Sequence, residues 1–138
     1  DTNILGYVFD ADVPTKRAVS RDLLAQCWNG EVTYAVSVQN LAEFAVVVTE
    51  KVAFPMPQSV VRSFIETILN FDGWKVISYR GSTIQDALAI KEKYSLHFWD
   101  ALIVATMQEH GIHQIYTEDR GFAKVPGCIP VNPYERCV

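Results

Sequence analysis

Two carboxylates stand where the neighbouring residues leave no reason for a charge. Between Glu31 and Glu50 the only charged side chain is Glu43, and between Lys93 and Glu109 the only one fully charged at neutral pH is Asp100. On a helix, Asp100 shares its face with Ile103, Val104 and Met107, at spacings of three, four and seven, and Glu43 stands above Val46 and Val47. Burying an unpaired carboxylate costs several kcal/mol or keeps it protonated, so something must compensate. A helix N-terminus or an Arg partner would compensate one such residue. Two more acids, Asp1 and Asp119, fall where strands are expected to have just ended, which is where ligands gather in open α/β sheets. Four converging carboxylates would repel one another, and a divalent cation turns that repulsion into attraction. An all-oxygen donor set without His or Cys suits Mg²⁺ or Mn²⁺ better than zinc.

The elements that must position these acids follow from pattern. "PTKRAVSRDLLAQCWNG" opens on Pro, repeats Ala18, Leu23, Leu24, Cys27 and Trp28 at helical spacing and stops at Asn-Gly. "VTYAVSV" predicts a short strand. In "SVQNLAEFAVVVTEKV" the three valines favour a strand, but Ser37 at a cap position and the spacing of Leu41, Phe44, Ala45 and Val48 predict a helix. Beyond Pro55 and Pro57, "QSVVRSFIETILNF" places Val60, Val61, Phe64, Ile68 and Leu69 on one helical face, and "WKVISY" is a strand. "GSTIQDALAIKEKYS" turns Ile84, Ala87, Leu88 and Ile90 inward, and "FWDALIVATMQEHG" closes at Gly111. "HQIYTED" and "IPVNPY" complete the strands. Strands alternating with helices predict an α/β fold, a mostly parallel sheet with helices on both faces.

The chain as a whole narrows the function. Its 138 residues, 49% hydrophobic and 20% charged, fit one domain over 1–138 with a substantial core and no disordered or repetitive stretch. The longest weakly charged run, Val32 to Thr49, holds Gln39, Asn40 and Glu43 at its centre, which argues against a membrane span. No leader pattern is present. Cys27, Cys128 and Cys137 are far apart, so a reduced, cytoplasmic setting is the simpler expectation. The formal charge of −4 argues against holding nucleic acid by bulk electrostatics. Of 16 acids, setting aside the four singled out leaves 12, equal to the 12 bases, so the excess negative charge is numerically that of the candidate site.

"DTN" at the start, "SVQNLAEF", "HFWDALIVATMQEHG" and "IYTEDRGF" resemble, in that order, the four acidic motifs of the PIN-domain family, and bacterial VapC-type toxins most of all. The resemblance covers nearly the whole chain. It implies a three-layer α/β/α fold whose first strand is absent before Asp1, so several further apolar residues are expected to precede Asp1 in the native protein. It places the acidic quartet on Asp1, Glu43, Asp100 and Asp119, with Asn3 and Thr117 as supporting polar residues. Glu118 is expected to face away from the ligands if the strand continues through it. The implied activity is cleavage of RNA with one or two Mg²⁺ or Mn²⁺ ions, leaving a 5′-phosphate, with Glu43 as either ligand or water-orienting base. The implied partners are an RNA substrate, a cognate antitoxin and a second copy of the chain in a homodimer.

Arg120, Arg17 and Lys16 head the candidates for RNA backbone contacts, Arg120 because it adjoins Asp119. Arg21, Arg62, Lys91 and Lys93 are more simply solvated helix faces. Trp99 and Phe98 offer stacking surfaces, although a core role is expected for both. His97, His110 and His113 lack ligand spacing. A receiver-like or phosphatase-like domain also gathers acids around Mg²⁺, but "DTN" lacks the second Asp of the phosphatase pattern, and Glu43 and Asp100 would be unexplained. Two further alternatives keep the fold: a PIN-like module that only binds RNA or protein, and a housekeeping RNA-processing nuclease.

Overall fold

A computed structural model describes residues 1–135; Cys137, one of the three cysteines, lies outside them. The chain divides into two compact units, Asp1–Val76 and Ile77–Val138, each with its own packing.

In the first unit, α1 (Thr2–Tyr7) is followed by α2 (Pro14–Trp28), β1 (Tyr34–Ser37), α3 (Val38–Val46), a π-helical turn (Val47–Lys51), α4 (Gln58–Asn70) and β2 (Trp74–Ile77), whose last residue opens the second unit. The ambiguous segment after Ser37 is helical because its first turn is closed from both sides. Ser37 accepts from the Asn40 amide at 3.0 Å, while Asn40 Oδ1 accepts from the Ser37 amide at 3.2 Å. Three valines cannot override such a cap when Leu41, Phe44 and Val48 are buried on one face. Helix α1 packs on α2 and α3. Phe64 of α4 meets Phe9 edge-on, ring centroids 4.9 Å apart, and Phe44 at 5.3 Å. Strands β1 and β2 are hydrogen-bonded neighbours.

In the second unit, α5 (Gly81–Tyr94) and α6 (Phe98–Glu109) pack together and lead into β3 (Gln114–Tyr116), a 3₁₀ turn (Arg120–Lys124) and β4 (Ile129–Val131). Every residue from Ala101 to Met107 is buried, and all of them but Thr106 join Ala87, Ile90, Leu96, Ile115, Phe122 and Val125 in one apolar cluster. Strands β3 and β4 are parallel, Gln114 opposite Ile129 and Tyr116 opposite Val131. Helix α6 ends at Glu109, two residues before Gly111, whose φ of 65° lets the chain reverse.

Several side chains face otherwise than the sequence predicts. On α5 the buried stripe is Thr83, Ala87 and Ile90, whereas Ile84 and Leu88 are exposed. The helix is turned toward Thr83 because its hydroxyl donates to Glu109 Oε1 at 2.6 Å and accepts from the Arg80 amide at 2.9 Å, which makes the polar residue acceptable inside. On α4 only Val61 and Ile68 are fully buried and Val60 and Leu69 are exposed, a narrower stripe than expected. On α2, Leu24 and Cys27 are buried while Ala18 is exposed. Trp99 is 59% exposed, which corrects the expectation of a core role, and Phe98 does pack against the apolar cluster. The expected strand through Asp119 stops at Tyr116, although the Thr117 amide still donates to Val131 O at 3.0 Å. The alternation argument for Glu118 therefore does not apply. Among the described residues no helix is long and apolar enough to cross a membrane.

Candidate active site

In the first unit, the turn at Asp1 and the helix carrying Glu43 are brought together. Asp1 caps α1, its Oδ1 accepting from the Thr2 amide at 2.6 Å. Helix α1, which follows this cap, packs on α3, which carries Glu43. Glu43 is half-buried, at the margin of the buried stripe rather than within it, since Val46 is exposed. Its Oε1 accepts from Gln39 Nε2 at 2.8 Å, one turn earlier on α3. Asn3 is exposed.

In the second unit, Asp100 is half-buried in the first turn of α6, with Ile103, Val104 and Met107 buried below it. An acid at that end of a helix is favoured by the backbone dipole, which is one compensation for its position. Asp119 is exposed and caps the 3₁₀ turn, Oδ1 accepting from the Gly121 amide at 2.7 Å. Its own amide donates to Thr117 Oγ1 at 3.0 Å, and Thr117 is buried. The approach is close at Gly121: a Cβ there would lie 2.9 Å from Asp119 Oδ1. Glu118 is half-buried.

As a donor set the four carboxylates offer only hard oxygen ligands, which fits Mg²⁺ or Mn²⁺. Asp119 accepts the Gly121 amide on one oxygen, and a carboxylate so engaged keeps acceptor capacity on its second. Among the described residues no three His, Cys, Asp or Glu side chains form a group that would hold a metal ion. The chemistry of the donors fits the ion, and among the described residues the side chains form no ready-made cage.

The candidate RNA contacts have local partners. Arg120 pairs with Glu135 at 3.0 Å, and Lys16 Nζ stands 5.0 Å from the centre of the Tyr7 ring. Arg17 is half-buried. Arg21 Nε donates to Val8 O at 2.9 Å, tying α2 to the end of α1, and Lys93 lies over the Tyr94 ring. The residues that sequence pattern does not single out are Gln39 and Asn40, both buried and polar. The available signal was spacing: Gln39 precedes Glu43 by four, one helical turn, and Asn40 follows the Ser37 cap by three.

The sheet pairs and packed helices are those of an α/β protein, with Asp1, Asp100 and Asp119 at the starts of helical turns and Glu43 within α3. The family comparison is more specific: residues 1–127 match the PIN domain, and the chain belongs to the PIN-domain family. PIN domains are generally nucleases that use divalent metal ions. The α/β PIN-like fold expected from the motifs is thereby established. A search of curated protein sequences gives no match. Among solved structures, the chain is similar to one from a toxin–antitoxin complex from Klebsiella pneumoniae, with a TM-score of 0.61 and 24% identity over 99% of this chain and 97% of that one. At that identity the likeness is one of fold.

Proposed function

We propose that residues 1–138 work as a single nuclease domain, a Mg²⁺- or Mn²⁺-dependent endoribonuclease acting in the cytoplasm as the VapC-type toxin of a toxin–antitoxin pair. The observation that carries this reading is the PIN match over residues 1–127, which contains all four acids in the family's order. Asp1, Asp100 and Asp119 hold the ion directly or through water, and Glu43 serves as a further ligand or orients the attacking water. When bound, the ion supplies Lewis-acid polarisation of the phosphoryl oxygen and lowers the pKa of water. Asp1 and Asp119 are suited to their part because each is already fixed by an amide hydrogen bond to its own turn, at 2.6 and 2.7 Å. Thr117 holds the Asp119 backbone, and Asn3 is exposed beside Asp1. Arg120, Arg17 and Lys16 are the proposed backbone contacts, for which Arg120 must leave Glu135.

The toxin part of the reading is supported by the fold shared with a chain of a toxin–antitoxin complex; the partners proposed are RNA, a cognate antitoxin and a second copy of the chain. The test is RNA cleavage by the purified chain with Mg²⁺ or Mn²⁺, compared with Asp100→Asn. The variant is expected to retain the parent's circular dichroism and lose cleavage. Cleavage at the parental rate would refute the site. Growth arrest on expression, relieved by a co-encoded small protein, supports the toxin role, and active enzyme that leaves growth unaffected points to a housekeeping nuclease instead. RNA binding without cleavage by the parent would leave a binding module.

A further inference from the structure

Asn40 makes two kinds of contact from one amide. Its Oδ1 accepts from the Ser37 amide at 3.2 Å and from Ser37 Oγ at 2.8 Å, the ordinary business of closing the first turn of α3. Its Nδ2 points the other way and donates to Thr2 Oγ1 at 3.2 Å, across 38 residues of sequence. The two donors from Ser37 fix which end of the amide is oxygen, so the nitrogen must face Thr2. A cap alone needs no donor at this position, and the side chains that more often close such a box, Glu and Gln, are longer. Asn40 and Thr2 are both buried, 9% and 5% exposed, where an unpartnered donor is costly.

The bond joins the two backbone positions that matter for the acids of this unit. Thr2 is the residue whose amide is capped by Asp1, at 2.6 Å, and Asn40 lies on α3 one turn before Glu43. Gln39, also buried, secures the Glu43 side chain through its 2.8 Å bond to Oε1. Hydrogen bonds thus run from Asp1 through Thr2 and Asn40 to Ser37 at the start of α3, and a separate one joins Gln39 to Glu43 on the same helix.

We infer that Thr2 and Asn40 are positioning residues that hold Asp1 and Glu43 in register for a divalent cation. This rests on the metal-dependent nuclease reading and adds residues that the acidic motifs do not include. Neither touches the reacting atoms. Their effect is to remove the freedom of α1 to shift along α3, so that the two carboxylates meet a cation without first being gathered.

The experiment is Mn²⁺ binding to the full chain, followed by the electron paramagnetic resonance of free Mn²⁺, with thermal unfolding of the metal-free protein alongside. Thr2→Val removes the acceptor at nearly constant shape, Thr2→Ala does so without a second methyl, and Thr2→Ser keeps the hydroxyl. Thr2→Val and Thr2→Ala are expected to bind Mn²⁺ roughly tenfold more weakly, and Thr2→Ser within about twofold of the parent. A purely structural role would lower the melting temperature of both hydroxyl-free variants and leave the Mn²⁺ dissociation constant unmoved, and that result would overturn the inference while leaving the nuclease reading intact. A parent chain that binds no Mn²⁺ would overturn both.

Discussion

Asp119 carries two roles that can be separated by one atom. Its Oδ1 accepts from the Gly121 amide at 2.7 Å and so caps the 3₁₀ turn, while the charge is what a cation would require. Asparagine retains an oxygen in the same place and is as good a cap, whereas alanine has none. The cap is exposed, so its loss belongs in the middle of the usual range, about 1 kcal/mol. For a chain of this size that corresponds to roughly 3 to 5 °C in melting temperature. It also corresponds to about 0.5 M in the urea midpoint, taking a slope of about 2 kcal/mol/M. Replacing the charge by a neutral amide weakens the interaction with the turn's dipole by about 0.3 kcal/mol, which is within error of no change. The expected pattern is that Asp119→Asn and Asp119→Ala both lose RNA cleavage, on the order of 100-fold or more. Only Asp119→Ala loses stability. Urea unfolding followed by circular dichroism and a cleavage assay on the same preparations decide it. Equal destabilisation of the two variants would refute the capping argument, and parental cleavage by Asp119→Asn would refute the catalytic one.

Two further outcomes follow from the packing. Thr83→Val keeps the shape of a fully buried side chain but removes the 2.6 Å bond to the Glu109 carboxylate and the acceptor for the Arg80 amide; a loss of about 1.5 kcal/mol is expected in urea unfolding, with cleavage unaffected. Burial pushes the Cys27 thiol up, against a smaller opposing contribution from the Tyr34 backbone, while its Sγ donates to Gly73 O at 3.2 Å. The unfolded chain then ionises first as pH rises, so this contribution is fully present below the ordinary thiol pKa and is lost above it. The urea midpoint should fall as pH rises above about 8.5, the ordinary thiol range, and Cys27→Ala should lose part of that slope; an unchanged slope would remove Cys27 as its source.

The acids of the proposed site stand out in the sequence where charge is scarce. Glu43 and Asp100 stand out because nothing else in their surroundings is charged, and Asp1 and Asp119 because they follow expected strands. Helix α6 was legible for a related reason: its seven consecutive buried residues are all apolar or small except Thr106, which bonds back to Leu102 O at 2.8 Å. What could not be read is whatever depends on a partner distant in sequence. Thr83 is inside and Leu88 outside because of Glu109, 26 residues away from Thr83, and no periodicity of α5 by itself contains that bond. Trp99 was misplaced because its size argues for burial, whereas its place in the first turn of α6 leaves it 59% exposed.

Asp1 is a helix cap that can also face a cation. From the triplet "DTN" alone, a cap and a metal corner look like competing explanations, and the 2.6 Å bond to the Thr2 amide establishes the cap. That bond does not compete with ligation, because one carboxylate oxygen can be held by an amide while the second keeps acceptor capacity. An acid fixed in this way loses less conformational freedom on meeting a cation than one on a mobile side chain, so the cap favours the proposed role. The same reasoning applies to Asp119 and its Gly121 amide, and it explains why both acids belong at the first residue of a helical turn and not in its middle.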